Sequence, residues 1–354
     1  VNDADVERSV WQAVAAVHSR TPLRESYLEA VAAHGRAAVR ISQQLLMQAA
    51  AALGERGWAD VDIRHVAARR LSSVHAEAIS DGSLPGPRVL DAVTVLIELL
   101  ALVTTLPEVA AAGRSDAEDT KLSGLDPRIL HRVRALLRKA ESTEFSEEAE
   151  ALTTKAQELI ARHAIDAVAL GAPDQAPITR RVHLDDPYLD AKALLLDRVA
   201  AANRCTCVFA QPFGWSDVFG FPGDLDAVEL LTSSLLAQAT QAMTREGARF
   251  DAAGRSRTRS FRRAFLVGFA TRIGQRLQHA TDASVAAAGA THGSLLPALA
   301  ARDERVHQLR AETYPETVAR PTRISNGSGW AAGRAAAEVA DLSVAAGAVR
   351  EGSG

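Results

Sequence analysis

Aromatic residues are scarce in this chain, at 5%, although 47% of it is hydrophobic, so its cores have to be built mainly from alanine, leucine and valine. That mixture suits helix packed on helix. Cysteine is almost absent. The two that occur, Cys205 and Cys207, stand two apart, where an extended strand would hold their Cα atoms roughly 6–7 Å apart, a strained span for a disulfide. A disulfide framework is not expected, and a reducing compartment is the simplest setting. No basic-then-apolar leader opens the sequence, because Asp3, Asp5 and Glu7 come at once, and a cytoplasmic protein is expected. Long apolar runs are missing too. The richest, Val89 to Val103, contains Asp91 and Glu98 and stops near Pro107. It is short for a bilayer span of ~20 residues and reads as a buried core helix, with no membrane partner. The net charge of −3 argues against a protein that is basic all over, as a bulk nucleic-acid coat would be.

What is present is mostly helical pattern. At 354 residues the chain exceeds the size at which one core usually stops growing, so two or three domains are expected. Residues 1–110 read as an all-α domain with helical stretches at Asp5 to His18, Pro22 to Leu53, Asp60 to Ile79 and Arg88 to Leu106. In the third, Ile63, Val66, Ala67, Leu71, Val74 and Ala78 fall on one helical stripe. Small and polar residues make 111–125 a linker.

Residues 126–166 read as a helical hairpin. Asp126-Pro127 is a helix-start signal, since Asp caps free amides and Pro needs no donor at the first helical position. Ile129, Val133, Leu136, Leu137 and Ala140 form the first apolar stripe. After a turn at Ser142 to Phe145, Ser146 opens a second helix, with Glu147, Glu148 and Glu150 near its positive end. Its stripe is Ala149, Leu152, Ala156, Leu159, Ile160 and His163, and so short a connection sets the helices antiparallel.

A second linker, 167–178, contains the Gly171 to Pro177 interruption. Residues 179–354 read as an α+β domain with a helical C-terminal extension. A strand at Thr179 to Leu184 precedes a helix from Pro187 to Ala202 capped by Asp186. Strands at Cys205 to Gln211 and Ser216 to Phe221 flank a Pro-Phe-Gly turn, and helices come next at Leu225 to Arg249, Phe261 to Ala287 and Gly329 to Ala345. The expected fold is therefore mostly α, with a small α+β C-terminal domain built on a β-α-β-β-α core plus extra helices.

The run Ile129 to Ile165, with Leu136-Leu137, Ala140, Glu148-Ala149-Glu150-Ala151, Lys155-Ala156, Leu159 and His163-Ala164-Ile165, resembles the helical module known as domain of unknown function 2786. Residues Asp186 to Ala287, with Phe219-Gly220, Asp224 and the run Phe261 to Phe269, look like the domain that often follows that module in bacterial and phage proteins. The resemblance implies no activity, cofactor or catalytic residue.

Charge is the strongest chemical signal. From Arg245 to Arg276 nine arginines face only Glu246 and Asp251, a local +7 in a chain of net −3. Arg255, Arg257, Arg259, Arg262 and Arg263 alternate with Gly254, Ser256, Thr258 and Ser260, which reads as a flexible arginine-rich loop entering a helix that continues to Arg272 and Arg276. Guanidinium forks pair with phosphates, and such a segment can follow a nucleic-acid backbone without reading its sequence. The competing reading pairs these arginines with the protein's own acids or with a second copy. The hairpin's first helix repeats the pattern with Arg128, Arg132, Arg134, Arg138 and Lys139; here pairing with Glu147, Glu148, Glu150 and Glu158 across the hairpin is the favoured reading, with Arg132 and Arg138 the phosphate candidates.

Gly327, Ser328 and Gly329 precede a helix and form a weak phosphate-binding candidate. They lack the Gly-Lys-Ser/Thr ending of a P-loop, and a capped helix packed closely through Gly333 is the plainer reading. Cys205, Cys207, His183, His163 and Asp185-Asp186 show no metal-ligand spacing, His163 reads as a core histidine, and no catalytic nucleophile, metal or cofactor is expected. The function expected is a non-enzymatic nucleic-acid- or polyanion-binding adaptor. A protein-interaction scaffold, with a protein partner or as a homo-oligomer, is the first alternative, and an enzyme on a phosphorylated or nucleotide substrate the second.

Overall fold

The computed structural model describes residues 2–19, 24–71, 88–109, 126–143, 145–169, 176–250, 253–290, 295–318, 322 and 324–338. Twelve helices and three strands occur among them, in two compact units, Val1–Ala111 and Ala112–Gly354. The expected class, mostly helical with one small sheet, agrees with this. No helix among the described residues is long and apolar enough to cross a membrane.

The first unit contains α1 (Asp3–Ser19), α2 (Arg24–Ala32), α3 (Arg36–Glu55), α4 (Asp60–Arg70) and α5 (Val89–Thr104). The single helix expected from Pro22 to Leu53 is two, because Gly35 sits at φ 60 between α2 and α3, a conformation that glycine adopts without penalty. The apolar run is α5, whose Val93, Ile97, Leu100 and Ala101 pack against Val6, Val10 and Val14 of α1 and Ile41 and Leu45 of α3. Trp58 Nε1 donates to Pro107 O at 2.8 Å and ties the end of α3 to the segment after α5. Residues 72–79, including Val74 and Ala78 of the expected stripe, lie outside the described residues, as do 111–125 and 170–175 of the two expected linkers.

The second unit begins with the hairpin, α6 (Pro127–Ser142) and α7 (Ser146–Ala169). Asp126 caps α6 by accepting the Arg128 amide at 2.7 Å. The hairpin keeps no core of its own: Val133 and Leu137 of α6 and Ala156 and Ile160 of α7 are buried in one core with the rest of the unit. Its second helix, α7, runs on into the expected linker.

The sheet order is β1-β3-β2, all antiparallel, from β1 (Ile178–His183), β2 (Thr206–Ala210) and β3 (Trp215–Gly220), with α8 (Leu189–Ala202) between β1 and β2 and α9 (Pro222–Arg245) after β3. Side chains alternate along a strand, and register sets Ser216 opposite Val182 and Phe209, and Val218 opposite Arg180 and Cys207. That face looks toward α8 and α9. On the other face Asp217 lies opposite Arg181 and Val208 and is covered by α11 (Leu295–Thr313), a helix not among those expected from the sequence.

The long α10 (Thr258–Gly289) and α12 (Gly327–Glu338) close the core. Their approach explains the Phe261 to Phe269 run: a Cβ at Gly329 would collide with Phe261 O, one at Gly333 with Phe265 O, and one at Gly268 with Trp330 O. The expected end of α12, residues 339–345, lies outside the described residues. Gln157 of α7 donates to Asn203 Oδ1 (3.1 Å) and Thr281 Oγ1 (2.9 Å), so a buried polar knot also joins hairpin, α8 and α10.

Candidate functional site

The hairpin's basic helix turns its charge outward. Val133, Leu137 and Ala140 are buried, while Arg128, Arg132, Arg134, Arg138 and Lys139 are exposed on the opposite side. The favoured pairing across the hairpin is realised once, between Lys139 and Glu148 at 2.7 Å. Glu148 also accepts from Thr143 Oγ1 at 2.6 Å, and these two bonds, that from Lys139 foremost, hold its carboxyl below the usual range. Two of the other acids are committed elsewhere: buried Glu150 pairs with Arg276 of α10, and Glu158 pairs with Lys155 at 2.9 Å, while Glu147 is exposed at the start of α7. Among the described residues Arg128, Arg132, Arg134 and Arg138 make no side-chain hydrogen bond or ion pair. Glu150 points into the core and Glu158 is held by Lys155, whereas the four arginines point away from the core.

The second arginine group is divided by the fold. Where a flexible loop was expected, a neck closes: Phe250 bridges Ser256, Arg257 N donates to Arg249 O at 2.7 Å, and Arg249 N donates to Thr258 Oγ1 at 3.0 Å. Arg249 pairs with Glu246 and lies 4.8 Å over the Phe261 ring. Arg263 pairs with Asp190 of α8, and Arg276 with Glu150 and with Ala337 O (3.1 Å). Those two phosphate candidates are thus held as internal ties, and Arg272 is half-buried. Arg255 is exposed. Arg257 and Arg259 are exposed and Arg262 is half-buried, and among the described residues these three have no side-chain partner. Arg245, the first of the second group, borders the same small cavity, about 50 Å³, as Ala140 and Thr143 at the end of α6.

Beside the neck opens a cleft of about 950 Å³. One wall is a stripe of α8, Asp190, Ala193, Leu194 and Asp197, spaced three and four apart as one helical face. The floor is Cys207, Phe209 and Ser216 of the sheet, and the far rim is Arg257, Arg259 and Arg263 with Ser325. Asp186 lies at the edge. The expected cap role of Asp186 is not seen, because α8 starts two residues later than expected, at Leu189, with Tyr188 as its uncapped N-cap. Burial pushes the Asp197 carboxyl up, opposed by Arg198. Ser216 is 1% exposed, and its Oγ has no hydrogen-bond partner among the described residues.

Gly327, Ser328 and Gly329 open α12, as expected. Asn326 Oδ1 accepts the Gly329 amide and the Ser328 hydroxyl, both at 2.9 Å, so the N-cap is internal, and Gly329 is pressed on Phe261. Burial pushes both cysteine thiols well above their ordinary range, Cys205 and Cys207 alike, which suppresses thiolate chemistry. His163 is half-buried rather than in the core. No three His, Cys, Asp or Glu among the described residues converge as a metal site.

Sequence reasoning missed Asp190, Asp197 and Ser216. The α8 stripe carried a signal, two acids on a face otherwise apolar; Ser216 carried none. It also missed the buried unit of Arg181, Asp217 and Tyr314. Arg181 grips Asp217 through two bonds of 2.8 and 3.1 Å and stacks 4.2 Å over Trp215, and Tyr314 donates to Asp217 at 2.5 Å.

Fold and surface define a helical hairpin, basic on its outer side, docked on a small α+β core. That hairpin is a DUF2786 domain: residues 128–167 match the family described as "Protein of unknown function (DUF2786)". Neither a curated protein nor a solved structure matches the chain.

Proposed function

We propose that the second unit binds the phosphate backbone of nucleic acid without sequence preference, as a non-enzymatic adaptor, through the outer face of α6 together with Arg257 and Arg259. One observation carries this reading: four arginines of α6 are exposed and have no side-chain partner among the described residues, while two of the acids expected to neutralise them, Glu150 and Glu158, pair elsewhere. Surface cations that fold into ion pairs need no ligand; these have none among the described residues. Residues 186–287 are read, in the same proposal, as the domain that follows this module in bacterial and phage proteins.

Six such contacts would make affinity fall by about 10³ between 50 and 200 mM salt. Fluorescence anisotropy with labelled duplex DNA, single-stranded DNA and RNA at those two concentrations measures it. Combined replacement of Arg128, Arg132 and Arg138 by Ala should weaken all three ligands alike. Binding that ignores both salt and these substitutions would overturn the reading and leave a protein-interaction scaffold in its place.

A further inference from the structure

We infer that the cleft between α8, the sheet and the start of α10 is a binding site for a nucleoside phosphate, taken free or as one unit of a single strand. The base would meet Tyr188, Phe209, Asp197 and Ser216, and the phosphate Arg257 and Arg259. Four observations converge on this. The volume, about 950 Å³, is at the large end for sites that hold small molecules, roughly 300–1,000 Å³. Ser216 presents in the cleft floor a hydroxyl that is 1% exposed and has no partner among the described residues, and a buried polar atom is costly unless something satisfies it. Asp197 is a half-buried carboxylate with no ion pair among the described residues. At the opposite rim Arg257 and Arg259 are exposed guanidinium groups without side-chain partners among the described residues.

The spacing supplies the ligand's shape. Asp190 pairs with Arg263, and Arg198 packs on Gly274, so α8 and α10 run side by side in the same direction. Asp197 is therefore about 10 Å beyond the Asp190–Arg263 tie in one direction, and Arg259 about 6 Å before it in the other. The reach of the arginine side chains shortens that interval to the length of a nucleotide. A carboxylate only accepts hydrogen bonds, so Asp197 selects a group bearing N–H donors, as the edges of guanine, adenine and cytosine do. Half-buried Tyr188 and Phe209 offer flat apolar surface to such a base. An inorganic anion would engage the rim and leave Asp197 and Ser216 unanswered.

Isothermal titration of the full chain with GMP and AMP, against ribose 5-phosphate and inorganic phosphate, tests the site. GMP and AMP should bind at least about tenfold tighter than ribose 5-phosphate. Asp197→Asn and Ser216→Ala should abolish that advantage while leaving ribose 5-phosphate unchanged, and Arg259→Gln, at an exposed position, should weaken all of the phosphates. Loss of single-stranded DNA binding in Asp197→Asn, with competition by GMP, assigns the site to a strand; GMP binding without such competition assigns it to free nucleotide. Arg132→Ala with Arg138→Ala separates this site from the α6 surface, because it should lower duplex affinity and leave GMP affinity intact. No GMP or AMP binding at millimolar concentration, or affinities that Asp197→Asn and Arg259→Gln do not change, would overturn the inference whatever the duplex result.

Discussion

Arginine is used in two opposite ways within the second unit. Under α11, Arg181 is 4% exposed in its side chain, gripped by fully buried Asp217 and stacked on Trp215. On α6, Arg128, Arg132, Arg134 and Arg138 are exposed and have no side-chain partner among the described residues. The first arrangement holds the sheet and α11 together. The second contributes nothing to the fold that another helix-former could not. What distinguishes them is the address of the acids: Asp217 faces its arginine across a strand pair, whereas Glu150 has been drawn inward to Arg276. Counting arginines cannot separate these cases; finding their partners can.

The contrast breaks most visibly at Asp217. Replacing it by Ala leaves Arg181 charged and buried and removes the acceptor of Tyr314, which should cost about 3–5 kcal/mol of stability. Urea or thermal unfolding would measure this. Next is Gly333, where any side chain strikes Phe265 O. Gly333→Val should destabilise by about 1–3 kcal/mol through overpacking, read in the same way. The triple replacement of Arg128, Arg132 and Arg138 by Ala should then shift stability by no more than about 0.5 kcal/mol. Its effect belongs to binding: the slope of log affinity against log salt should shrink by about 3 units, measured by anisotropy.

Much of the architecture was legible because it is local. Asp126-Pro127, the two apolar stripes and the alternation of β1 to β3 each declare themselves within a few residues. Non-local features were not legible. Asp190 meets Arg263 across 73 residues, and Tyr314 meets Asp217 across 97, so no periodicity announces either pair. The α8 start was misplaced because Asp186 before Pro187 imitates a cap, and the backbone turns left-handed at Tyr188 instead. α11 was missed because only Leu295, Leu299 and Val306 of it are buried, a sparse stripe. The cleft was hidden for the same reason: its members come from α8, two strands, the neck and the approach to α12. The arginine segment was visible as a total but not as a division into internal ties and free cations.

The smallest effect expected is at Glu148, and it tests the comparison most finely because it converts a partnered cation into a free one. Glu148→Gln releases Lys139 from its single ion pair on α6. Its carboxyl is held below the ordinary range by Lys139 and Thr143, so the wild-type stabilisation exists above the unfolded pKa and disappears as pH falls through the lower folded value. At neutral pH the variant should therefore be slightly less stable than the wild type, and in acid below the folded pKa the two should unfold alike. The pair is exposed, so the difference is small and screened by salt. Nucleic-acid affinity should move the other way, rising slightly at low salt because α6 then presents Lys139 together with its four exposed arginines. An unchanged duplex affinity at 50 mM salt in Glu148→Gln, with Lys139→Ala equally silent, would mean that the α6 surface is not where the backbone lies.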